Sequence, residues 1–262
     1  MERGLRRFEG KTAVVTGGAT GVGFATARRL AEEGASVVIA GRRSDVGREA
    51  EETLKKAGLA AVFVQADVAD EAQVRFLMDE AVRAFGRIDV LVNNAAAFTP
   101  GRFMETSWQD WRKVFDVILN GAYFCTKEAA RRMIEQGGGG RIVNVSSINS
   151  TRALEESSHY NAAKGALDQL TRNTSLELID HGIRVNSVAL GFIDTPMSIV
   201  DGVKEHETDW FRDIYVARKK IPLQRTGQPE EAAGAIAFLA SEDASYMCGA
   251  VVAVDGGLSI TF

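Results

Sequence analysis

Three of the four tyrosines in this chain are followed four residues later by a lysine: Tyr123/Lys127, Tyr160/Lys164 and Tyr215/Lys219. On a helix that spacing places both side chains on one face. An ammonium beside a phenol favours the tyrosinate and would pull the tyrosine pKa down from its ordinary value of about 10. Such a pair can exchange a proton with a substrate oxygen, but the spacing alone does not choose among the three. Ser147 does. It lies upstream of Tyr160 at the end of the apolar run Arg141-Ile-Val-Asn-Val-Ser-Ser147. That run reads as a buried strand, and open α/β sheets bind ligands at the carboxyl ends of their strands. A hydroxyl at a strand mouth, a loop and a helix bearing Tyr and Lys make a proton-transfer site, as an oxidoreductase requires. Tyr123 reads as a packing residue, and Tyr215/Lys219 as a surface pair, with substrate contact by a lid tyrosine as the alternative.

The elements that must position these groups alternate from end to end. Strands are expected at 12–16, 36–40, 61–65, 88–92, 141–145, 184–188 and 251–254. Helices are expected at 22–33, 45–57, 71–85, 107–136, 159–181 and 229–241. Short β-branched runs between helices predict a single doubly wound α/β domain over 1–262, with about seven parallel strands covered on both faces. The glycine run at 137–140 reads as a helix stop. Only 195–223 breaks the rhythm. Trp210, Phe211 and Tyr215 among Asp201, Lys204, Glu205 and Glu207 suggest a helical, partly amphipathic lid over the substrate.

Thr16-Gly-Gly-Ala-Thr-Gly-Val-Gly23 follows the first strand and opens the first helix. Glycines let the backbone turn tightly against a pyrophosphate, whose charge sits on the helix N-terminus. Gly17, Thr20, Gly21, Val22 and Gly23 are therefore dinucleotide-binding candidates. The second strand ends Ala40-Gly-Arg-Arg43. Gly41 offers no carboxylate for a ribose 2′-hydroxyl, whereas Arg42 can reach a 2′-phosphate, so NADP is preferred and NAD remains possible.

The Gly-x-x-x-Gly-x-Gly spacing, Asn93-Asn94-Ala95-Ala96, Asn120, Ser147 and Tyr160-x-x-x-Lys164 together resemble the short-chain dehydrogenase/reductase family over roughly Gly10 to Gly257. The resemblance implies a Rossmann-type domain, a nicotinamide cofactor and a homotetramer. It implies that Tyr160 is the general acid/base, that Lys164 lowers its pKa and holds the nicotinamide ribose, and that Ser147 orients the substrate oxygen. Asn120 would support a proton-relaying water. Asp67 and Val68 would meet the adenine, Asn94 the adjoining ribose, and Ile193 and Thr195 the carboxamide and neighbouring phosphate. Two departures, Ala96 for Gly and Leu190 for Pro, are expected to alter substrate shape rather than abolish activity.

Composition narrows the partners. A net charge of -4 with 45% hydrophobic and 25% charged residues argues against nucleic acid or an anionic membrane as partner. No run is apolar enough for a membrane helix, and Met1–Phe8 lacks the apolar core of a signal peptide. Cys125 and Cys248 read as buried small side chains in a reducing, cytoplasmic setting, and the three histidines lack metal-ligand spacing. The polar loop after Ser147, with Asn149, Thr151, Arg152, Glu155, Glu156 and His159, points to a small polar ketone, sugar or polyol. A 3-oxoacyl-type or other apolar ketone reductase, a nucleotide-sugar epimerase or dehydratase, and a non-catalytic cofactor-sensing protein are the alternatives.

Overall fold

Five consecutive buried residues, Thr12–Thr16, form the first strand, and each side chain points into apolar surroundings on one face of the sheet or the other. The computed structural model of the protein describes residues 5–200 and 202–261. In chain order the larger elements are β1 (Thr12–Thr16), α1 (Gly21–Glu32), β2 (Ser36–Gly41), α2 (Ser44–Lys56), β3 (Ala61–Gln65), α3 (Glu71–Phe85) and β4 (Val90–Asn93). There follow α4 (Trp108–Phe115), α5 (Gly121–Gln136), β5 (Gly140–Ser147), α6 (Ser158–Leu178) and β6 (Ile183–Leu190). The chain then makes a short hairpin, β7 (Ile199–Val200) with β8 (Val203–Lys204), a helical turn α7 (Asp209–Phe211), α8 (Pro229–Ala240) and β9 (Val251–Val254). Seven parallel strands form one sheet in the order β3-β2-β1-β4-β5-β6-β9.

Two apolar layers hold helices to this sheet. Leu30 of α1, Leu54 of α2 and Ile236 and Leu239 of α8 pack with Val15, Ile39, Val92 and Val188 on one face. Val74, Leu77 and Met78 of α3, with Cys125, Ala129 and Met133 of α5, pack on Val14, Val38, Leu91 and Ile142 on the other. A buried polar chain crosses the second face. Asn93 Nδ2 donates to Thr126 Oγ1 (3.0 Å) and to Asn144 Oδ1 (2.8 Å), and Asn144 Nδ2 donates to Thr171 Oγ1 (2.8 Å). These bonds tie β4 and β5 to α5 and α6.

The expected elements are present with shifted ends. The fourth strand begins at Val90 rather than 88, because the backbone of Ile88 is bonded at both its N–H and its C=O to the Gln136 side chain. β5 and β6 run longer than expected and pair over eight positions, from Gly140↔Ile183 to Ser147↔Leu190. The expected helix 107–136 is continuous but contains a π-helical turn, Asp116–Asn120. The glycine stop is realised with positive φ at Gly137, Gly138 and Gly139.

The 195–223 segment is less helical than expected: beyond the hairpin it has α7 and a π-helical turn, Arg212–Ala217. Phe211, Tyr215 and Ile221 are buried with Ile148 and Leu258. Tyr215 is therefore not a surface residue, and Lys219 leaves the helix with φ of 56°. Tyr123 is 45% exposed on α5, so it is a surface tyrosine rather than a packing one. Cys125 is buried as expected, but Cys248 is exposed because it follows the last helix at the surface. Asp201 and the first four residues of the basic N-terminal stretch lie outside the described residues.

Asn144→Ala should destabilise the protein by about 1–3 kcal/mol, since it strands two buried partners without their hydrogen bonds. Urea unfolding followed by circular dichroism would check it, and an unchanged midpoint would mean that the chain from Asn93 to Thr171 contributes no net stability.

Candidate active site

Strand register decides where Ser147 sits. As the last residue of β5, level with Leu190, it donates its hydroxyl to the Leu190 carbonyl (3.3 Å) and accepts the Asn149 N–H (3.2 Å). The chain then crosses a loop and returns as α6, which carries Tyr160 and Lys164 one turn apart. Lys164 is 2% exposed, and its Nζ donates to the Val145 carbonyl of β5 at 2.6 Å. The same ammonium lies 5.5 Å from the centroid of the Tyr160 ring. Phe98 packs edge-on to that ring at 5.4 Å and holds its orientation. Ser147, Tyr160 and Lys164 line one cleft of about 630 Å³.

Burial controls the charges. It pushes the Tyr160 phenol up to about 12, and a hydrogen bond with Ser147 acts the other way. Burial also drives Lys164 down to about 8, with the Asp168 carboxylate opposing it. The expected lowering of the tyrosine is thus reversed in the protein alone. Lys164 spends a hydrogen bond on Val145 rather than on the phenol, and desolvation outweighs its field. Asp168 is the residue that sequence reasoning missed. It stands one turn beyond Lys164 on α6, is 3% exposed, accepts from Ser187 Oγ (3.0 Å), and among the described residues has no hydrogen-bond partner for Oδ2. Its i+4 spacing from Lys164 was the available signal.

The other end of the cleft is built for a dinucleotide. Gly17, Thr20, Gly21 and Val22 line it. α1 starts there with no side chain capping its first amides, so unsatisfied N–H groups are left to face an anion. Gly17 has φ of +62°, and a Cβ on it would stand 2.9 Å from Asn94 Nδ2. Asn94 secures the turn by donating to the Thr16 and Gly17 carbonyls (2.9 and 3.1 Å). Arg42, Asp67, Val68, Asn94, Ile193 and Thr195 all line the cleft, as do Gly41 and Arg43. Arg42 is exposed and lies 3.8 Å from Asp67. This lining fits a nicotinamide dinucleotide.

Two expected residues are placed otherwise. Gly23 is buried behind the turn, where a Cβ would come 2.2 Å from the Gly17 carbonyl oxygen, so it shapes the turn rather than lining the cleft. Asn120 is not in the cleft wall. It sits in the π-helical turn, and its side chain is exposed and donates to Asp116 Oδ1 (2.9 Å). Of the polar loop, Asn149 and Arg152 line the cleft, while His159 is buried behind it with Nε2 bonded to the Thr99 carbonyl. Phe98, Phe192 and His206 also line the substrate side, marked by no sequence motif, together with Glu205 and Tyr215 of the expected lid segment.

Comparison with known proteins agrees with this geometry. A family model described as enoyl-(acyl carrier protein) reductase matches residues 17–259. The chain is 45% identical over 254 residues to the cis-4-hydroxycyclohexanecarboxylate dehydrogenase of Sinomonas cyclohexanicum, across 95% of this chain and 97% of that one. The chain belongs to the short-chain dehydrogenase/reductase family. It is also 37% identical over 253 residues to the NADP-dependent (R)-specific alcohol dehydrogenase of Lentilactobacillus kefiri, across 96% of this chain and 97% of the relative. A crystal structure of a short-chain type dehydrogenase/reductase from Mycobacterium marinum superposes with a TM-score of 0.87 at 34% identity, covering 97% of each chain. Like other short-chain dehydrogenases, this chain is an oxidoreductase of CH–OH and C=O groups.

Burial lowers the Lys164 pKa, and the Asp168 carboxylate opposes it by favouring the charged lysine. Asp168→Asn should therefore lower the Lys164 pKa below about 8. A ketone reduction that needs protonated Lys164 and neutral Tyr160 would then lose activity at lower pH than in the wild type. Asp168→Glu should restore the profile. A pH profile of kcat/KM in the reducing direction that does not move in Asp168→Asn would remove Asp168 from the circuit.

Proposed function

We propose that this protein is an NADP-preferring dehydrogenase/reductase that interconverts a small polar ketone and its secondary alcohol, such as a sugar or polyol. The observation that carries this reading is one continuous cleft. It joins Ser147, Tyr160 and Lys164 at one end to the uncapped α1 terminus, Arg42 and Arg43 at the other. The NADP-dependent relative supports the cofactor preference. Other relatives include a meso-2,3-butanediol dehydrogenase and an L-rhamnose 1-dehydrogenase, which support a small polyhydroxylated substrate.

A nicotinamide bound in this cleft supplies or accepts the hydride. Tyr160 gives its proton to the ketone oxygen, or takes it from the alcohol in the reverse direction. Ser147 donates to the same oxygen and fixes it opposite Tyr160. Lys164, anchored on Val145, supplies the positive charge that lets the phenol reach the tyrosinate, and it offers a donor to the ribose. Asn120 would act through the π-helical turn it occupies, away from the reacting oxygen. Arg42 would hold the 2′-phosphate, and Asp67, Val68, Asn94, Ile193 and Thr195 would hold the remainder of the dinucleotide.

Residues 195–223 would cover the substrate as a lid on a single domain. Their docked aromatics Phe211 and Tyr215, packed against Phe192, favour a closed resting position. The protein would work as a homotetramer, consistent with the exposed apolar side chains Ile134, Leu176 and Ile179 along α5 and the end of α6. Two free cysteines suit a cytoplasmic setting. Among the described residues no helix is long and apolar enough to cross a membrane. The description of the matching family model favours an acyl substrate instead; Asn149, Arg152, Glu205 and His206 in the cleft wall count against a long apolar chain.

The test is the change in absorbance of NADPH and NADH against a panel of ketones, sugars, polyols and acyl thioesters. Tyr160→Phe should lower kcat by about 10²–10⁴ while cofactor binding persists. Near-normal turnover in that variant would sink the assignment. Arg42→Ala should weaken NADPH binding roughly 10- to 150-fold, the equivalent of losing about 1.5–3 kcal/mol of phosphate contact, with little change for NADH. If titration finds the ratio of the two affinities unaltered, Arg42 is a solvated surface charge.

A further inference from the structure

The substrate side of the cleft carries two cations, Arg152 and Lys220. Far apart in sequence, they are joined by the C-terminal turn. Arg152 follows Ile148 by one turn, its N–H bonded to the Ile148 carbonyl, and its guanidinium donates to the Ser259 carbonyl (2.7 Å). The backbone carbonyl of Lys220 accepts from the Thr261 hydroxyl (2.9 Å). Ile148, Ile221 and Leu258 pack together beneath them. Both residues therefore line the cleft from one base, which the C-terminal turn ties to the loop after Ser147.

Neither cation has a carboxylate within ion-pair distance among the described residues. Elsewhere cations find partners: Arg42 has Asp67, Lys204 has Asp194, and Arg225 has Glu231. Arg152 spends one donor on a backbone carbonyl, which leaves most of its fork open, and Lys220 hangs 5.7 Å from the Tyr215 ring centroid. Among the described residues, Glu205 is the one carboxylate on this side of the cleft. It is half-buried, and burial raises its pKa, which weakens its claim on either cation. A mouth with two open cations and apolar walls from Phe98, Leu154 and Phe192 suits an organic anion with a compact hydrocarbon or hydroxylated body.

We propose that Arg152 and Lys220 anchor the carboxylate of a small hydroxy acid, whose secondary alcohol reaches Ser147 and Tyr160. The inference rests on the dehydrogenase reading above and narrows its substrate class. In the oxidising direction the alcohol C–H breaks as hydride to the bound oxidised nicotinamide. The O–H proton goes to Tyr160, and a keto acid leaves with its carboxylate unchanged. The carboxylate serves only to position the alcohol.

Calorimetry on the NADP-loaded protein can separate anchor from chemistry. Cyclohexanecarboxylate should bind at least about tenfold more tightly than cyclohexanecarboxamide, the effect of a charge-assisted contact partly screened by solvent. In Arg152→Gln/Lys220→Gln that ratio should fall to about one, and Arg152→Lys should retain most of it. Equal binding of acid and amide to the wild type, or an unchanged ratio in the double variant, overturns the proposal. The 4-hydroxy derivatives of both compounds then test the underlying reading. If acid is favoured in binding but neither derivative reduces NADP, the anchor stands and the dehydrogenase assignment fails. If both are oxidised with equal kcat/KM, the assignment stands and the anchor fails.

Discussion

A lysine with 2% exposure has to be kept charged, and most of the site follows from how that is done. Burying an ammonium without partners would neutralise it or force it out. Here one proton is committed to the Val145 carbonyl and a carboxylate stands one helical turn beyond, so Lys164 is driven down only to about 8. Both partners come from fixed elements: β5 provides the carbonyl and α6 provides Asp168. Asp168 is itself held by Ser187 on β6. Moving any of these elements would leave either a buried charge or a buried carboxylate uncompensated. The geometry that makes Lys164 useful is therefore the geometry that the fold must keep for its own stability.

The sheet places the two halves of the chemistry on one line. Reversal of strand order between β1 and β4 opens a crevice at their carboxyl ends. The glycine turn after β1 and the Asn94 side chain after β4 close on each other there, through two hydrogen bonds to the turn carbonyls. One strand further on, the eight-residue ladder between β5 and β6 delivers Ser147 level with Leu190. The cofactor end and the proton-transfer end are thus set by strand neighbours, not by proximity in sequence. The buried bonds from Asn93 through Asn144 to Thr171 fix the same strands to the helices that carry the reactive groups.

The substrate side is made differently. It is assembled from the loop after β5, the segment before α8 and the C-terminal turn, all resting on the cluster of Ile148, Phe211, Tyr215, Ile221 and Leu258. The stacked pair Phe211–Tyr215 in that cluster adds about 0.5–1.5 kcal/mol beyond its buried area and helps to dock the segment. Rigid strands hold the chemistry and short, side-chain-packed connections shape what is admitted, a division that allows specificity to change without disturbing proton transfer.

The strand–helix alternation, the glycine turn and the Ser147, Tyr160, Lys164 set were legible because they depend on local pattern: burial period, backbone freedom and helical spacing. Those features already separate Tyr160 from the other tyrosine–lysine pairs. Gly41, at the position where a ribose-binding carboxylate would stand, and Arg42 beside it both line the cleft. Other facts were decided only by tertiary structure. The sign of the Tyr160 shift depends on how completely the phenol is desolvated, which no spacing reports. Gly23 lies behind its turn and Asn120 faces Asp116 because of backbone packing and a π-helical turn. Tyr215 enters the cleft, and Arg152 and Lys220 line it together, because the C-terminal turn bridges residues far apart in the chain. Local pattern specifies which groups exist and on what element; only the packed fold sets their solvation and their long-range neighbours.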